Sequence, residues 1–150
     1  MPEQLPQIAV AAGVLMDANE RVLIAQRPPG KHMAGYWEFP GGKISCGETA
    51  IAALVRELQE ELGVQARYAR HLLCFEHIYP EQRVQLHVWK VLSWGGEPHG
   101  CEGQSLRWLK VDELDQADLL PADELIIESL SKSSAVNTLA WSNLAAAVKV

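Results

Sequence analysis

The chain has 150 residues, 48% of them hydrophobic, and a formal net charge of -6, which suits one compact domain able to bury a core without staples. It carries no Lys/Arg-rich run to track a nucleic-acid backbone, no apolar stretch of the roughly eighteen residues a membrane span needs, and at Met1-Pro-Glu-Gln-Leu no basic region followed by an apolar one. We therefore expect a cytoplasmic protein that engages neither a membrane nor a nucleic-acid polymer; Cys46, Cys74 and Cys101 are too scattered for a zinc site or a disulfide framework and read as free, buried or partly buried thiols.

Gln7 to Asp17 is rich in Ile, Val and Leu and reads as a strand, with Asp17-Ala-Asn-Glu20 as a turn and Arg21 to Gln26 as the returning strand of a hairpin. Pro28 to Gly35 is a Pro/Gly-punctuated loop, followed by the short apolar stretch Tyr36 to Phe39 and a sharp turn at Pro40-Gly41-Gly42. From Glu48 to Leu62, apolar residues at Ile51, Leu54, Val55, Leu58 and Leu62 keep a 3.6-residue period, and Gly63 stands where a C-terminal cap belongs, so this segment is expected to be helical. Gln65 to His77 and Arg83 to Trp94 read as two long strands joined by a turn at Tyr79 to Gln82. Ser105 to Leu109 is a short strand, and Ala122 to Leu130 a second amphipathic helix with Leu125, Ile126, Ile127 and Leu130 facing the core. Strands and helices are mixed rather than alternating, which implies an α+β domain, a mixed sheet covered by helices, over residues 1–131. Residues 132–150 form an extension whose Ala/Leu/Val-rich part is expected to be helical, with the oligomeric state expected to be monomer or weak homodimer.

The chemistry concentrates in the run Gly42-Lys-Ile-Ser-Cys-Gly-Glu48 to Arg56-Glu57-Leu58-Gln-Glu60-Glu61-Leu-Gly63. Glu57, Glu60 and Glu61 are spaced i, i+3 and i+4, so on a helix they project into one arc of roughly 100° beside the apolar stripe. Like charges at that spacing cost an isolated helix on the order of 0.2–0.5 kcal/mol per pair, which a divalent cation would relieve. Mg²⁺ suits the task because it takes oxygen ligands and bridges carboxylates to phosphates, and a neighbouring carboxylate can then deprotonate a water. The bland alternative is a solvated acidic face with Arg56 paired to Glu60. Against it, the fixed positions Gly42, Glu48, Arg56, Glu57, Glu60, Glu61 and Gly63 arise together by chance at roughly one in 10⁸ or rarer per starting point.

This pattern of Gly, five residues, Glu, seven residues, Arg-Glu-apolar-x-Glu-Glu-x-Gly resembles the signature of the Nudix hydrolases, with every position filled. The likeness extends through Ile8 to Val10, Arg27, His32-Met-Ala34, Glu38 to Ile44, Gly96-Glu-Pro98, Glu102-Gly-Gln104 and Pro121-Ala122, which together look like the 8-oxo-dGTP diphosphatases. It covers roughly residues 7–131. The resemblance implies an αβα sandwich and Mg²⁺, with Mn²⁺ as a substitute, held by the Gly41 carbonyl, Glu60, Glu61 and Glu102. It implies Glu57 as the base, with Arg56 and Glu48 orienting the cluster. The reaction it implies is hydrolysis of a nucleoside triphosphate by water attack at the β-phosphorus, giving a monophosphate and pyrophosphate, in the service of nucleotide-pool sanitation and replication fidelity.

Substrate contacts are expected from Arg27 and His32 around the Pro-Gly loop, from Phe39 against the base, and from backbone groups of Glu38, Pro40 and Gly41; Lys43 can meet phosphate. Taken singly, each of these has an ordinary reading as a solvated strand end, a loop residue or a core aromatic. Asp123 departs from the pattern, since the 8-oxo-dGTP diphosphatases it resembles carry asparagine there. An amide donates and accepts, whereas an ionised carboxylate only accepts, so Asp123 reads the base either protonated or through a shifted pose, or else is simply a helix N-cap before Glu124. Competing readings are a Nudix hydrolase of another nucleoside diphosphate derivative, a non-catalytic base-recognition module, and a binding protein with a structural metal.

Overall fold

The computed structural model describes residues 5–135 and 148–150. The chain runs β1 (Gln7–Leu15), β2 (Arg21–Gln26), β3 (Trp37–Glu38), β4 (Gly41–Lys43), α1 (Ala50–Leu62), β5 (Gln65–Ile78), β6 (Arg83–Gly95), β7 (Leu106–Lys110), α2 (Glu124–Ala135) and β8 (Val148–Lys149), with 3-10 turns at Val111–Gln116 and Pro121–Asp123. The strands form a five-stranded mixed sheet, ordered β4-β1-β6-β5-β8, and a three-stranded antiparallel sheet, β3-β2-β7. β1 runs parallel to β6 from Gln7↔Arg83 to Leu15↔Val91 and antiparallel to β4 at Val10↔Lys43 to Ala12↔Gly41.

The period-two pleat explains the layers. Along β1, Ala12 and Val14 enter a core that also contains Val84, Leu86, Val88, Ile126 and Leu130, so α2 lies on that side. Ala11 and Leu15 enter the opposite core with Ala53, Leu54, Leu58 and Leu62 of α1. β2 divides in the same way, with Val22 and Ile24 in one core and Leu23 in the other. Strands buried on both faces read as continuous apolar runs, and helices cover them from either side, as an αβα sandwich requires.

The expected β1–β2 hairpin is a correction. Asp17 does make the turn, accepting at Oδ1 from the N–H groups of Asn19 and Arg21. Beyond an isolated bridge between Met16 and Val22, however, the two strands diverge into separate sheets. Each is buried on both faces, and packing between two cores outweighs the local tendency of adjacent strands to pair.

α1 begins with Thr49, whose side chain accepts from Ala52 N–H, and ends at Gly63 with φ 69°, whose N–H reaches the Gln59 carbonyl. Leu54, Leu58 and Leu62 are wholly buried, each contributing roughly 1.5–3 kcal/mol of transfer free energy toward seating the helix. α2 starts two residues later than expected because Pro121–Asp123 forms its own 3-10 turn. Ile126 and Leu130 are buried, whereas Leu125 is exposed, off the line that the i, i+4 pair defines. All three cysteines are free and exposed, contrary to the expected burial.

α2 runs on past the expected Leu130 to Ala135, and Val148–Lys149 pair as a strand with Tyr68 and Ala69 of β5 where helix was expected; the rest of the additional helix expected over the C-terminal extension falls on residues 136–147, outside the described part. No helix among the described residues is long and apolar enough to cross a membrane.

Candidate active site

α1 lies over β4, and this places its acidic face beside Gly41 to Lys43. Gly42 is required by that approach: a β-carbon there would run into the Glu57 carboxyl group. One at Gly41 would strike the Ala11 carbonyl of the neighbouring strand. Glu57 side-chain Oε1 accepts from Arg56 Nη1 at 2.9 Å, and Glu61 Oε2 accepts from Gly41 N–H at 3.4 Å.

Arg56 organises the outer part of the cluster. Its Nε and Nη2 donate to the two oxygens of Glu48 at 2.8 and 2.9 Å, a bidentate pair, and Nη2 also reaches the Lys43 carbonyl. Glu48 in addition accepts from Ser45 N–H, and Arg56 together with that bond holds its carboxyl at about 2. Glu60 meets Arg56 at 3.3 Å with 57% of its side chain exposed. An exposed pair of that kind is worth about 0–1 kcal/mol, so Glu60 is readily exchanged to another cation.

Glu61 differs. It is largely buried, has no basic partner among the described residues, and is surrounded by Glu57, Glu38 and Glu102; burial first and those charges next push its carboxyl up to about 8. An oxygen-rich, electron-rich site of this kind fits a hard divalent cation. No three Asp, Glu, His or Cys side chains among the described residues stand in metal-ligating geometry: Arg56 holds Glu57 and Glu60, while Glu61 turns to Gly41. The expected convergence of three carboxylates is thus a shared face rather than a gathered ligand set.

These groups open on a cleft of about 640 Å³, a size suited to a nucleotide. Its lining includes Arg27, His32, Glu38, Phe39, Gly41, Glu57, Glu60, Glu61, Glu102 and Asp123, so nearly all the residues expected to meet metal or substrate come together. Arg56 and Glu48 are not among the lining residues. Pro40 is buried outside the lining, with its carbonyl accepting from Gly13 N–H at 2.8 Å. Lys43 does line the cleft, as do Lys31, Tyr79 and Gln82, which the sequence reading passed over. Lys31 and the latter two lie in turns, and no local pattern marks a turn residue as cleft-facing.

Asp123 reaches the cleft through backbone pairing. Trp37 N–H donates to Asp118 and Leu120 N–H to Trp37, drawing the 3-10 turn against β3. Asp123 is 4% exposed and its Oδ2 accepts from Phe39 N–H at 3.2 Å, so its bond goes across the fold and not to its own helix, against the N-cap reading. Burial, then the Glu38 charge, pushes its carboxyl up to about 8, which keeps it mostly neutral at pH 7. Arg27, placed to meet phosphate by the sequence, is held here by Glu38 at 2.8 Å and by the His32 carbonyl at 2.6 Å. Burial raises the Glu38 carboxyl and Arg27 opposes that rise.

Residues 11–129 match the NUDIX domain. The chain belongs to the Nudix family. Among its Nudix relatives, the 8-oxo-dGTP diphosphatase of Escherichia coli is 38% identical over 128 residues, 85% of this chain and 99% of that one. The CTP pyrophosphohydrolase of Escherichia coli is 35% identical over 125 residues, covering 83% and 92%. The solution structure of the Escherichia coli ORF135 protein superposes with a TM-score of 0.77 at 34% identity, covering 88% of this chain and 94% of that one. The mixed sheet between two helices is the architecture of such Nudix structures, and the chain is a hydrolase of this family, whose members generally need a divalent metal.

Proposed function

We propose that this Nudix hydrolase cleaves 8-oxo-dGTP to 8-oxo-dGMP and pyrophosphate, using Mg²⁺ or in its place Mn²⁺, and so cleans the cytoplasmic nucleotide pool. The observation that carries the reading is a single cleft lined both by Glu57, Glu60, Glu61 and Glu102 and by Phe39 and the buried Asp123. Asp123 and Glu61 accept from N–H groups two residues apart, Phe39 and Gly41, so the acidic and base-reading groups lie along one segment at most about 7 Å long.

The Gly41 carbonyl, Glu60, Glu61 and Glu102 would hold the cation, which when bound neutralises phosphate charge and polarises the phosphorus under attack. Glu57 takes the proton from the attacking water. Its carboxyl is oriented by Arg56, which Glu48 fixes in turn, so that the base is aimed before substrate arrives. Lys31 and Lys43 supply positive charge on the cleft wall toward the phosphates, with Arg27 and His32 beside them. Water adds to the β-phosphorus, the bond to the α-phosphate oxygen breaks, and no covalent enzyme intermediate forms.

A neutral Asp123 offers one donor and one acceptor. That pair complements the O6 and N7–H edge of 8-oxoguanine, as the amide expected at this position would, whereas guanine has no N7 proton to give. It complements equally the N3 and N4–H₂ edge of cytosine, and the carboxyl at this position together with the likeness to a CTP pyrophosphohydrolase favours a cytidine triphosphate as the second reading. Comparing kcat/KM for 8-oxo-dGTP, dGTP and CTP with Mg²⁺ tests this. The first reading requires 8-oxo-dGTP to lead by at least tenfold; a lead for CTP replaces it with the second, and turnover of none rejects both.

A further inference from the structure

The connection between β5 and β6 takes no part in the acidic cluster, yet its side chains reach both walls of the cleft. Tyr79 and Gln82 exchange backbone hydrogen bonds, Tyr79 N–H to Gln82 at 2.8 Å and the reverse at 3.4 Å, so the turn is closed on itself. Tyr79 is 9% exposed, and its hydroxyl accepts from Ala122 N–H at 3.4 Å, one residue before Asp123. That N–H lies in the first turn of a short 3-10 helix, where a donor has no partner within its own helix and needs one from elsewhere. From the same turn, Glu81 meets His32 Nδ1 at 3.2 Å. The His32 ring stands edge-on to the Tyr79 ring with centroids 5.8 Å apart, and His77 packs on the same phenol at 4.6 Å. The His32 carbonyl in turn accepts from Arg27, which is paired with Glu38.

We propose that Tyr79 is a positioning residue for base selectivity: its hydroxyl fixes Ala122 and so holds the Asp123 carboxyl against Phe39, while the exposed contact of Glu81 with His32 braces the facing loop only lightly. The inference rests on reading Asp123 as the base contact. Tyr79 touches no reacting atom. Its effect on turnover passes through the precision with which Asp123 meets one base edge and not another, because a donor and acceptor displaced by a fraction of an ångström lose alignment with a bidentate edge. Glu81 acts on the opposite wall and discriminates between no bases, so losing it weakens all nucleotides alike.

The test measures kcat and KM for 8-oxo-dGTP, dGTP and CTP, and the Kd of the corresponding monophosphates by titration calorimetry, for the wild type, Tyr79→Phe and Glu81→Gln. Tyr79→Phe keeps the ring and its packing and removes only the hydroxyl. It is expected to raise KM for the preferred nucleotide about three- to tenfold, the loss of one hydrogen bond, with kcat nearly unchanged and the selectivity ratio reduced by the same factor. Glu81→Gln is expected to weaken all three monophosphates by a common factor with their ratios intact. An unchanged selectivity ratio in Tyr79→Phe overturns the proposal, as does a fall in kcat at constant KM. If the wild type turns over none of the three, the proposed function fails separately, and the spread of monophosphate Kd values decides: narrowed by Tyr79→Phe it supports the positioning role, unchanged it ends it.

Discussion

The carboxyl group of Glu57 lies against the backbone of Gly42, close enough that all three of its terminal atoms would collide with a β-carbon at that position. The contact joins the middle of α1 to β4 and fixes where the proposed base can point. It also separates stability from chemistry, since the obstruction is the far end of a flexible side chain and not backbone.

Gly42→Ala is therefore expected to fold with a melting temperature within a few degrees of the wild type, because Glu57 can swing aside, yet to lose at least about 100-fold in kcat through misplacement of the base. Thermal melts alongside steady-state kinetics check this. Activity near the wild-type level in a folded Gly42→Ala would mean that the position of Glu57 against β4 has no bearing on turnover.

Asp123 gives a pH signature with a definite sign. Its folded-state value of about 8 stands above the ordinary 3.8, with Glu38 and Arg27 the charged groups facing it and the Tyr79 phenol nearby. The folded protein binds this proton more tightly than the unfolded chain, so the contribution is fully present below pH 4 and is lost as pH rises through about 8. Stability of Asp123→Asn relative to the wild type is expected to increase across that window. The preference for 8-oxo-dGTP over dGTP should fall as pH passes about 8 in the wild type, where the donor is lost, and stay level in Asp123→Asn. A wild-type selectivity profile parallel to that of the variant removes Asp123 from base reading.

Glu61 should report on the cation directly. A ligand that binds only the folded state stabilises it by about 2.7 kcal/mol at a hundred times its dissociation constant, so Mg²⁺ is expected to raise the melting temperature over that in EDTA. Glu61→Gln replaces a carboxyl that burial and its acidic neighbours keep mostly protonated near pH 7 without metal, so it is expected to be about as stable as the wild type in EDTA, while losing most of the Mg²⁺-dependent rise. Equal rises in the two proteins would take Glu61 out of the ligand set.

What could be read from the sequence was what depends on neighbours along the chain. The period of Leu54, Leu58 and Leu62, the cap at Gly63 and the arc of Glu57, Glu60 and Glu61 all follow from helical geometry, and they placed α1 correctly to within two residues. β5 and β6 followed from their long β-rich runs and the turn between them. What escaped depends on partners far apart in sequence. The divergence of β1 and β2 arises because each strand has two cores to fill, which no hairpin signal at Asp17 reveals. Asp123 looked equally like a cap until Phe39, 84 positions away, was seen to hold it. Tyr79 and Gln82 read as mere turn residues because the walls they face are supplied by other elements.

In the proposed reaction Glu57 activates water for cation-assisted attack on a nucleoside triphosphate, and product analysis tests that role most directly. Wild type and Glu57→Gln are incubated with 8-oxo-dGTP in Mg²⁺ and in EDTA, with folding of both monitored by circular dichroism. The expected result is 8-oxo-dGMP and pyrophosphate from the wild type in Mg²⁺ alone, with a rate at least about 1,000-fold lower for the folded variant, in keeping with the loss of a general base. Release of 8-oxo-dGDP and inorganic phosphate instead, or comparable rates in EDTA or with Glu57→Gln, would contradict it.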